Sequence, residues 1–377
     1  MAMSQTQMHD IVVLGATPAG LAAAHYLARK KHDVAVVDSP HQSIECPLTD
    51  WVPKPFFKMA GLPSGLAKLA KAEAFSNVRY HNAKFTSIVE YKARTEAGHF
   101  VHVPTLIKAM RAAAGKAGAK IHVSTTWPAI HLDEDHVEII GSRRVRAKML
   151  IIAQNRPNDV LSELSIPLRI VPGGSLLVAG IDMPVGRRRA DIARLEGALH
   201  VVELRERTEM GLFFVANGMF HVRVISNSVA SGNRGAELSG MISGLQQASI
   251  IPTDLPLARA TGAVWYPPAG AALELETHVA KRCLLAGTAG GFVECNTGQS
   301  LSPSVRSALL AADVAVDALA SKEPQNTLMK YKTSWRKALA DYMRPPNTSL
   351  HMLLPLLFVN QRIVAKFTRA LLYGENI

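Results

Sequence analysis

The chain has 377 residues, of which 48% are hydrophobic and 19% charged. That supports a substantial core, in two intertwined lobes, and argues against extensive disorder. Its formal net charge is +12, but no aromatics interleave with the basic residues and no recognition helix is present, so the reading is no nucleic acid. The clusters Arg143-Arg144-Val145-Arg146 and Arg187-Arg188-Arg189 read as solvated hairpin and loop faces, with attraction to anionic ligands or lipid surfaces second. The 3 cysteines, Cys46, Cys283 and Cys295, lack C-x-x-C spacing, which disfavours a disulfide scaffold and a zinc site. Met1–Gln7 has no basic-then-apolar pattern, so no signal peptide is read and a cytoplasmic setting is expected.

In chain order, Ile11–Leu14, Pro18–Lys30 and Val34–Val37 predict strand, helix and strand, with Pro in the first helical turn. A loop-rich stretch follows, with Pro53, Pro55 and Gly61-Leu62-Pro63 and at most short helical pieces. Val103–Ala117 predicts a helix, Ile121–Val123 a strand, and Val137–Ile140 with Arg143–Arg146 a hairpin. Met149–Ala153 is apolar throughout and predicts a buried strand. From Ser175 to Ser226 the pattern is β-rich: Val201–Leu204, Leu212–Ala216 and Met219–Ile225 suggest a meander, with Asn217-Gly218 as a type I′ turn. Gly235–Ala248 predicts a helix, Cys283–Ala286 a buried strand, and Ser302–Ala320 a long alanine-rich helix. Thr327–Tyr373 reads as helical with a break at Pro345-Pro346.

This order predicts an α/β protein with a Rossmann-like cofactor domain split by an antiparallel sheet. Residues 1–170 and 258–325 form the split domain, with a small substrate-side loop region at 41–102. Residues 171–257 form the inserted β-rich substrate domain, and 326–377 a helical C-terminal region.

Two glycine-rich turns carry the chemistry. Gly15-Ala16-Thr17-Pro18-Ala19-Gly20 follows the first strand and opens the first helix. In a phosphate-binding turn one glycine makes the tight bend, one admits the pyrophosphate and one lets helix and strand pack. Gly15 and Gly20 hold the outer positions. Thr17 takes the middle one, where it either crowds a phosphate or offers it a hydroxyl. Asp38 ends the second strand roughly 20 positions on, where an acid binds ribose hydroxyls. Its charge disfavours a 2′-phosphate, hence NADP, at this turn. The second turn, Gly287-Thr288-Ala289-Gly290-Gly291, follows Cys283–Ala286, with Gly298-Gln299-Ser300 downstream. Each turn can bring backbone N–H groups to a phosphate.

Ile11–Asp38, Val103–Asn155 and Arg282–Leu319, about a third of the chain, together resemble the FAD-dependent oxidoreductases typified by p-hydroxybenzoate hydroxylase and geranylgeranyl reductase. The stretch Leu285–Val293 followed by Thr297-Gly298-Gln299-Ser300 resembles the geranylgeranyl reductase branch most. The resemblance implies FAD held by both turns and by Asp38. It sets Gly298, Gln299, Ser300 and Leu301 beside the flavin ring, where backbone N–H groups at the helix N-terminus stabilise a reduced flavin. It also implies an adenine contact near Trp127, although a core aromatic is the alternative there. The chain departs from the family at Thr17, at Gln154-Asn155 where an Asp-Gly is usual, and at Thr288 where an Asp contacts the ribityl chain. A threonine is a weaker acceptor than a carboxylate.

The resemblance further implies a flavin-facing cysteine near Cys46, and it sets Cys295 in a loop close to the isoalloxazine. The two thiols read either as a redox or substrate-touching pair or as loop cysteines without chemistry; Cys283 reads as core. His131–His136 reads as an exposed connection rather than a metal loop, and no metal site is expected. The expected activity is hydride transfer through flavin N5 to or from a small apolar substrate, isoprenoid or polyketide-like. NAD(P)H or a protein serves as electron donor. Monooxygenation, or a flavin-free relative binding a ligand or partner in the old cleft, are the alternatives. Residues 350–373 combine apolar and basic positions and suggest peripheral membrane contact or packing on the chain's own domain.

Overall fold

The computed structural model describes residues 8–38, 48–126, 128–155, 161–166, 176–204, 209–226, 234–255, 261–344, 350–375 and 377. Trp127, Cys46 and the Pro345-Pro346 break therefore lie outside the described residues.

The first strand, Met8–Leu14, pairs in parallel with Arg144–Ile152 on one side and Val34–Asp38 on the other. Ile11, Val12, Val13 and Leu14 are fully buried, which is why the sequence reads as an unbroken apolar run rather than an alternating one. Lys120–Val123 extends the sheet beyond Val34–Asp38, and Cys283–Leu285 extends it beyond Arg144–Ile152, both in parallel. A hairpin of Ala129–Leu132 and Val137–Ile140 joins the outer half of Arg144–Ile152. The first helix, Pro18–Arg29, packs on the long helix Leu301–Leu319, and both bury small residues in the shared core, among them Ala19, Ala23, Ala308 and Ala312. A strand from near residue 285 thus lies two strands from the first strand, and the two glycine turns emerge from the same sheet edge.

A second, seven-stranded sheet runs in the order Thr261–Trp265, Leu177–Pro184, Met219–Ser226, Glu209–Ala216, Ala198–Glu203, Asn77–His81, Ile88–Lys92. The expected meander is present, and Asn217 and Gly218 both have positive φ, 53° and 71°, as a type I′ turn requires. This sheet takes strands from outside residues 171–257. Asn77–His81 joins it by parallel pairing with Ala198–Glu203, and Thr261–Trp265 by pairing with Leu177–Pro184. Residues 49–102 also form a three-stranded sheet from Thr49–Pro53, Gly98–His102 and Glu73–Phe75. The expectation of loop with short helical pieces is corrected there: Pro53 ends a strand rather than breaking one.

The C-terminal helices pack on their own chain. Lys330–Met343 buries Tyr331, Trp335, Leu339 and Met343, and Val364–Tyr373 buries Phe367, Leu371 and Leu372. Tyr80 and Thr368 hydroxyls meet at 2.6 Å, fixing the last helix to the second sheet. Met352, Leu356 and Val359 stay exposed. Among the described residues no helix is long and apolar enough to cross a membrane.

Candidate cofactor and substrate site

One cavity of about 390 Å³ runs between the two sheets and is lined by residues of both glycine turns. Ala16, Thr17, Pro18 and Ala19 line it at the start of the first helix, and Asp38 at the end of the second strand. Gly15 has φ +110°, and a Cβ there would sit 2.9 Å from the Ala153 carbonyl oxygen. At Gly20 a Cβ would strike the Gly15 carbonyl oxygen at 2.0 Å. Only glycine fits either position, the former for the bend and the latter for helix–strand contact.

Thr17 lines the cavity and is engaged by the protein itself. Its hydroxyl donates to the Ala153 carbonyl at 2.5 Å and accepts from the Gly20 N–H at 3.2 Å, capping the first helix. The single hydroxyl hydrogen is committed to the protein, and the side chain ties the turn to the neighbouring strand.

Beside Ala153, Gln154 is fully buried and both its side-chain polar atoms lack hydrogen-bond partners among the described residues. Asn155 turns into the cavity and accepts from the Thr288 hydroxyl at 2.9 Å. Thr288 also reaches the Gln154 carbonyl at 3.3 Å. The second turn is held from behind. His278 bonds the Gly290 carbonyl at 2.9 Å and packs against Phe292 and Trp335. Burial lowers the His278 pKa to about 4, so the ring is neutral near pH 7.

Gly298, Gln299, Ser300 and Leu301 all line the cavity at the N-terminus of the long helix. Gly298 has φ +73°, and a Cβ there would lie 2.8 Å from Pro267. Gln299 donates to the Trp51 carbonyl at 3.1 Å and accepts from Tyr342 at 3.4 Å. The loop before it is organised by buried Glu294. Its carboxylate accepts the N–H groups of Asn296 and Thr297, the Asn296 amide and the Thr297 hydroxyl, all within 2.6–2.8 Å. Burial raises the Glu294 pKa, and these donors pull the other way.

Cys295, in the same loop, is not among the lining residues. Burial, reinforced by the Glu294 carboxylate, pushes its thiol up, and its sulfur faces Glu294 Oε1 at 3.8 Å. An activated thiolate needs the opposite electrostatics. Cys283 is fully buried and its thiol is likewise pushed up by burial, as a core residue should be.

Sequence reasoning missed three charged residues. Arg111, two turns into the helix Val103–Lys116, forms a short ion pair with Asp38 at the cavity edge. Val103, Ile107 and Arg111 line the cavity at four-residue spacing, a signal available in the sequence. Asp50 and Arg223 line the other end, with Trp51, Phe214, Trp265 and Tyr266. Burial pushes the Asp50 carboxyl up to about 6, against the opposing pull of the Trp51 N–H and Arg223. Arg223 pairs with Asp182 at 2.5 Å and lies over the Trp265 ring. Its strand position reads only as apolar-rich β pattern, so nothing local marks it.

These residues fit FAD. An acid stands at the end of the second strand, a glycine cradle at the first helix's N-terminus, hydrogen-bonding side chains between the turns and a second helix N-terminus beyond. Among the described residues no group of three or more His, Cys, Asp or Glu is arranged to hold a metal ion.

Comparison with known proteins agrees with this geometry. Residues 9–163 match the family model described as pyridine nucleotide-disulphide oxidoreductase, and no curated protein sequence matches. Among solved structures, a geranylgeranyl bacteriochlorophyll reductase-like protein from Thermoplasma acidophilum superposes with TM-score 0.73 at 15% identity, covering 98% of this chain and 97% of that one. FqzB superposes with TM-score 0.71 at 14% identity, covering 100% and 97%. The halogenase PltM, in complex with phloroglucinol and FAD, superposes with TM-score 0.66 at 15% identity, covering 88% and 74%. The expected oxidoreductase class and FAD-binding scaffold agree with these matches. The chain therefore has the fold shared by geranylgeranyl reductase-like and halogenase flavoproteins.

Proposed function

We propose that this chain is an FAD-dependent oxidoreductase acting on a small, largely apolar substrate by hydride transfer, with isoprenoid or polyketide-like compounds as the expected class. The observation that carries the reading is that one cavity is lined by Ala16–Ala19, Asp38, Thr288, Gly298–Leu301 and the inner face of the second sheet. Bound FAD supplies hydride transfer through flavin N5.

The chain's own residues supply the rest. Asp38, held by Arg111, receives the ribose hydroxyls, and the N-terminus of the first helix receives the pyrophosphate. Thr288 and Asn155 meet the ribityl chain. The Gly298–Leu301 backbone at the long helix's N-terminus favours negative charge on the flavin edge. Val178, Leu212, Phe214, Ile225 and Trp265 form an apolar wall that orients substrate and excludes water. NAD(P)H or a reductase protein serves as electron donor.

Exposed Met352, Leu356 and Val359, near Arg362 and Lys366, support peripheral lipid contact through residues 350–373 as a further part of this proposal.

The test is anaerobic reduction of isoprenoid and polyketide substrates by protein carrying reduced FAD. Substrate reduction without O₂ supports hydride transfer. Turnover that requires O₂ and consumes it stoichiometrically assigns monooxygenation instead.

A further inference from the structure

Asp50 and Arg223 stand at the substrate end of the cavity without pairing: no ion pair joins them within 4.0 Å among the described residues, although Arg223 acts on Asp50 electrostatically. Arg223 is already engaged. One terminal nitrogen donates to the carbonyls of Ile181 at 3.1 Å and Val222 at 2.9 Å, and the other pairs with Asp182 at 2.5 Å. Gly180 makes this arrangement possible, because a Cβ there would come within 2.6 Å of the Arg223 side chain. Asp182 also meets His221 at 2.8 Å, and burial lowers the His221 pKa, which keeps that ring neutral near pH 7.

Asp182 therefore balances Arg223, and Asp50 is left as the uncompensated charge. Its Oδ1 accepts the Trp51 N–H at 2.8 Å, and its Oδ2 has no hydrogen-bond partner among the described residues. Trp51, Trp265 and Tyr266 share this chamber, with Phe214 stacked between Phe100 and His221 and Arg223 lying over the Trp265 ring, so Trp51, Tyr266 and the far side of Trp265 supply the ring surface. A lone carboxylate within aromatic walls, in a chain that is +12 overall, is the chemistry that receives an organic cation: the charge pairs with the carboxylate and the ring faces hold its carbon frame.

We infer that Asp50 is a specificity-determining residue that anchors a basic nitrogen on an otherwise apolar, ring-bearing substrate and turns carboxylates away. This deepens the proposed function and rests on its assignment of the second sheet's inner face as the substrate wall.

Calorimetric titration of the purified full chain with naphthylmethylamine, naphthylmethanol and naphthylacetate tests the inference, with FAD binding measured separately on the same preparation. The amine should bind about tenfold or more tighter than the carboxylate and several-fold tighter than the alcohol. Asp50→Asn should bring the amine level with the alcohol, and Asp50→Glu should restore part of its lead. Equal or tighter binding of the carboxylate by the wild-type protein would assign the anchor to Arg223 and overturn the inference, whatever the variants do. An amine lead that survives Asp50→Asn would overturn it as well. Loss of FAD binding with amine selectivity intact would instead remove the proposed function and leave this anchor standing.

Discussion

Thr288 donates its hydroxyl to Asn155 Oδ1 at 2.9 Å, joining the turn after Cys283–Leu285 to the end of the Arg144–Ile152 strand. Thr288 stands where the resembling flavoproteins carry an Asp and Asn155 where they carry the Gly of an Asp-Gly, and in this chain the two replacements satisfy each other. A neutral donor–acceptor pair thus includes the position at which a carboxylate would otherwise stand. Thr288→Val removes the donor and leaves Asn155 unmatched. FAD affinity should fall by about two- to tenfold, since a neutral hydrogen bond is worth about 0.5–1.5 kcal/mol. Thr288→Asp should raise affinity by about tenfold or more, because Asn155 can turn its amide to donate and a carboxylate is the stronger ribityl acceptor. Flavin fluorescence quenching on titration reads both.

Thr17 should matter for stability more than for cofactor. Its hydroxyl caps the first helix and serves the Ala153 carbonyl, so Thr17→Val should cost about 1–2 kcal/mol in denaturant unfolding. Thr17→Gly recreates the three-glycine turn but loses the same bonds. It should be destabilised while FAD affinity holds or rises. A large loss of FAD affinity in a stable Thr17→Gly variant would mean that the threonine contacts the pyrophosphate directly.

Glu294 is the strut of the loop that presents Gly298. Glu294→Gln places an amide donor where one carboxylate oxygen accepts two of the four donors, one of them a backbone N–H. About 2–4 kcal/mol of destabilisation is expected, together with weaker FAD binding as Gly298 and Gln299 lose their position. Cys295→Ser, next door, should leave FAD affinity and turnover near wild type, because the Cys295 thiol is pushed up and does not line the cavity. A large loss of turnover in Cys295→Ser would restore the thiol to the chemistry.

Asp50 sets a pH dependence with a definite sign. Its carboxyl is raised from 3.8 to about 6 by burial, so the folded chain holds a proton that the unfolded chain releases earlier. The stabilisation is fully present below the unfolded value and is lost as pH rises through about 6. Arg223 and the Trp51 N–H oppose the shift without cancelling it. Thermal unfolding of wild type and Asp50→Asn between about pH 4 and about pH 7 should show the variant gaining on wild type as pH rises. Parallel curves would contradict the assignment.

The cofactor scaffold was legible because its signals are local. Four consecutive buried residues, a Pro-led alanine helix and Asp38 at the next strand's end are all read within thirty residues, and the structure places each accordingly. The second sheet was legible only in its meander, where neighbouring strands pair through short turns. Asn77–His81 and Thr261–Trp265 join that sheet through partners far away in sequence, and Thr49–Pro53 pairs with Gly98–His102 across the intervening loops. No local pattern reports such pairing. Arg223 was missed for the same reason, because its partner Asp182 lies on another strand, and Asp50 because only the fold brings it to the cavity; Arg111 carried a helical spacing signal, but its pairing with Asp38 is set by the fold.

The central claim is that both glycine turns and Asp38 hold one FAD. The most direct measurement is titration of flavin-stripped protein with FAD, following flavin fluorescence and absorbance, for wild type and Asp38→Ala. The account predicts saturable binding of one FAD per chain, with affinity lowered about tenfold or more by Asp38→Ala through loss of charge-assisted ribose bonds. A folded wild-type protein that leaves FAD fluorescence and absorbance unchanged throughout the titration would contradict it.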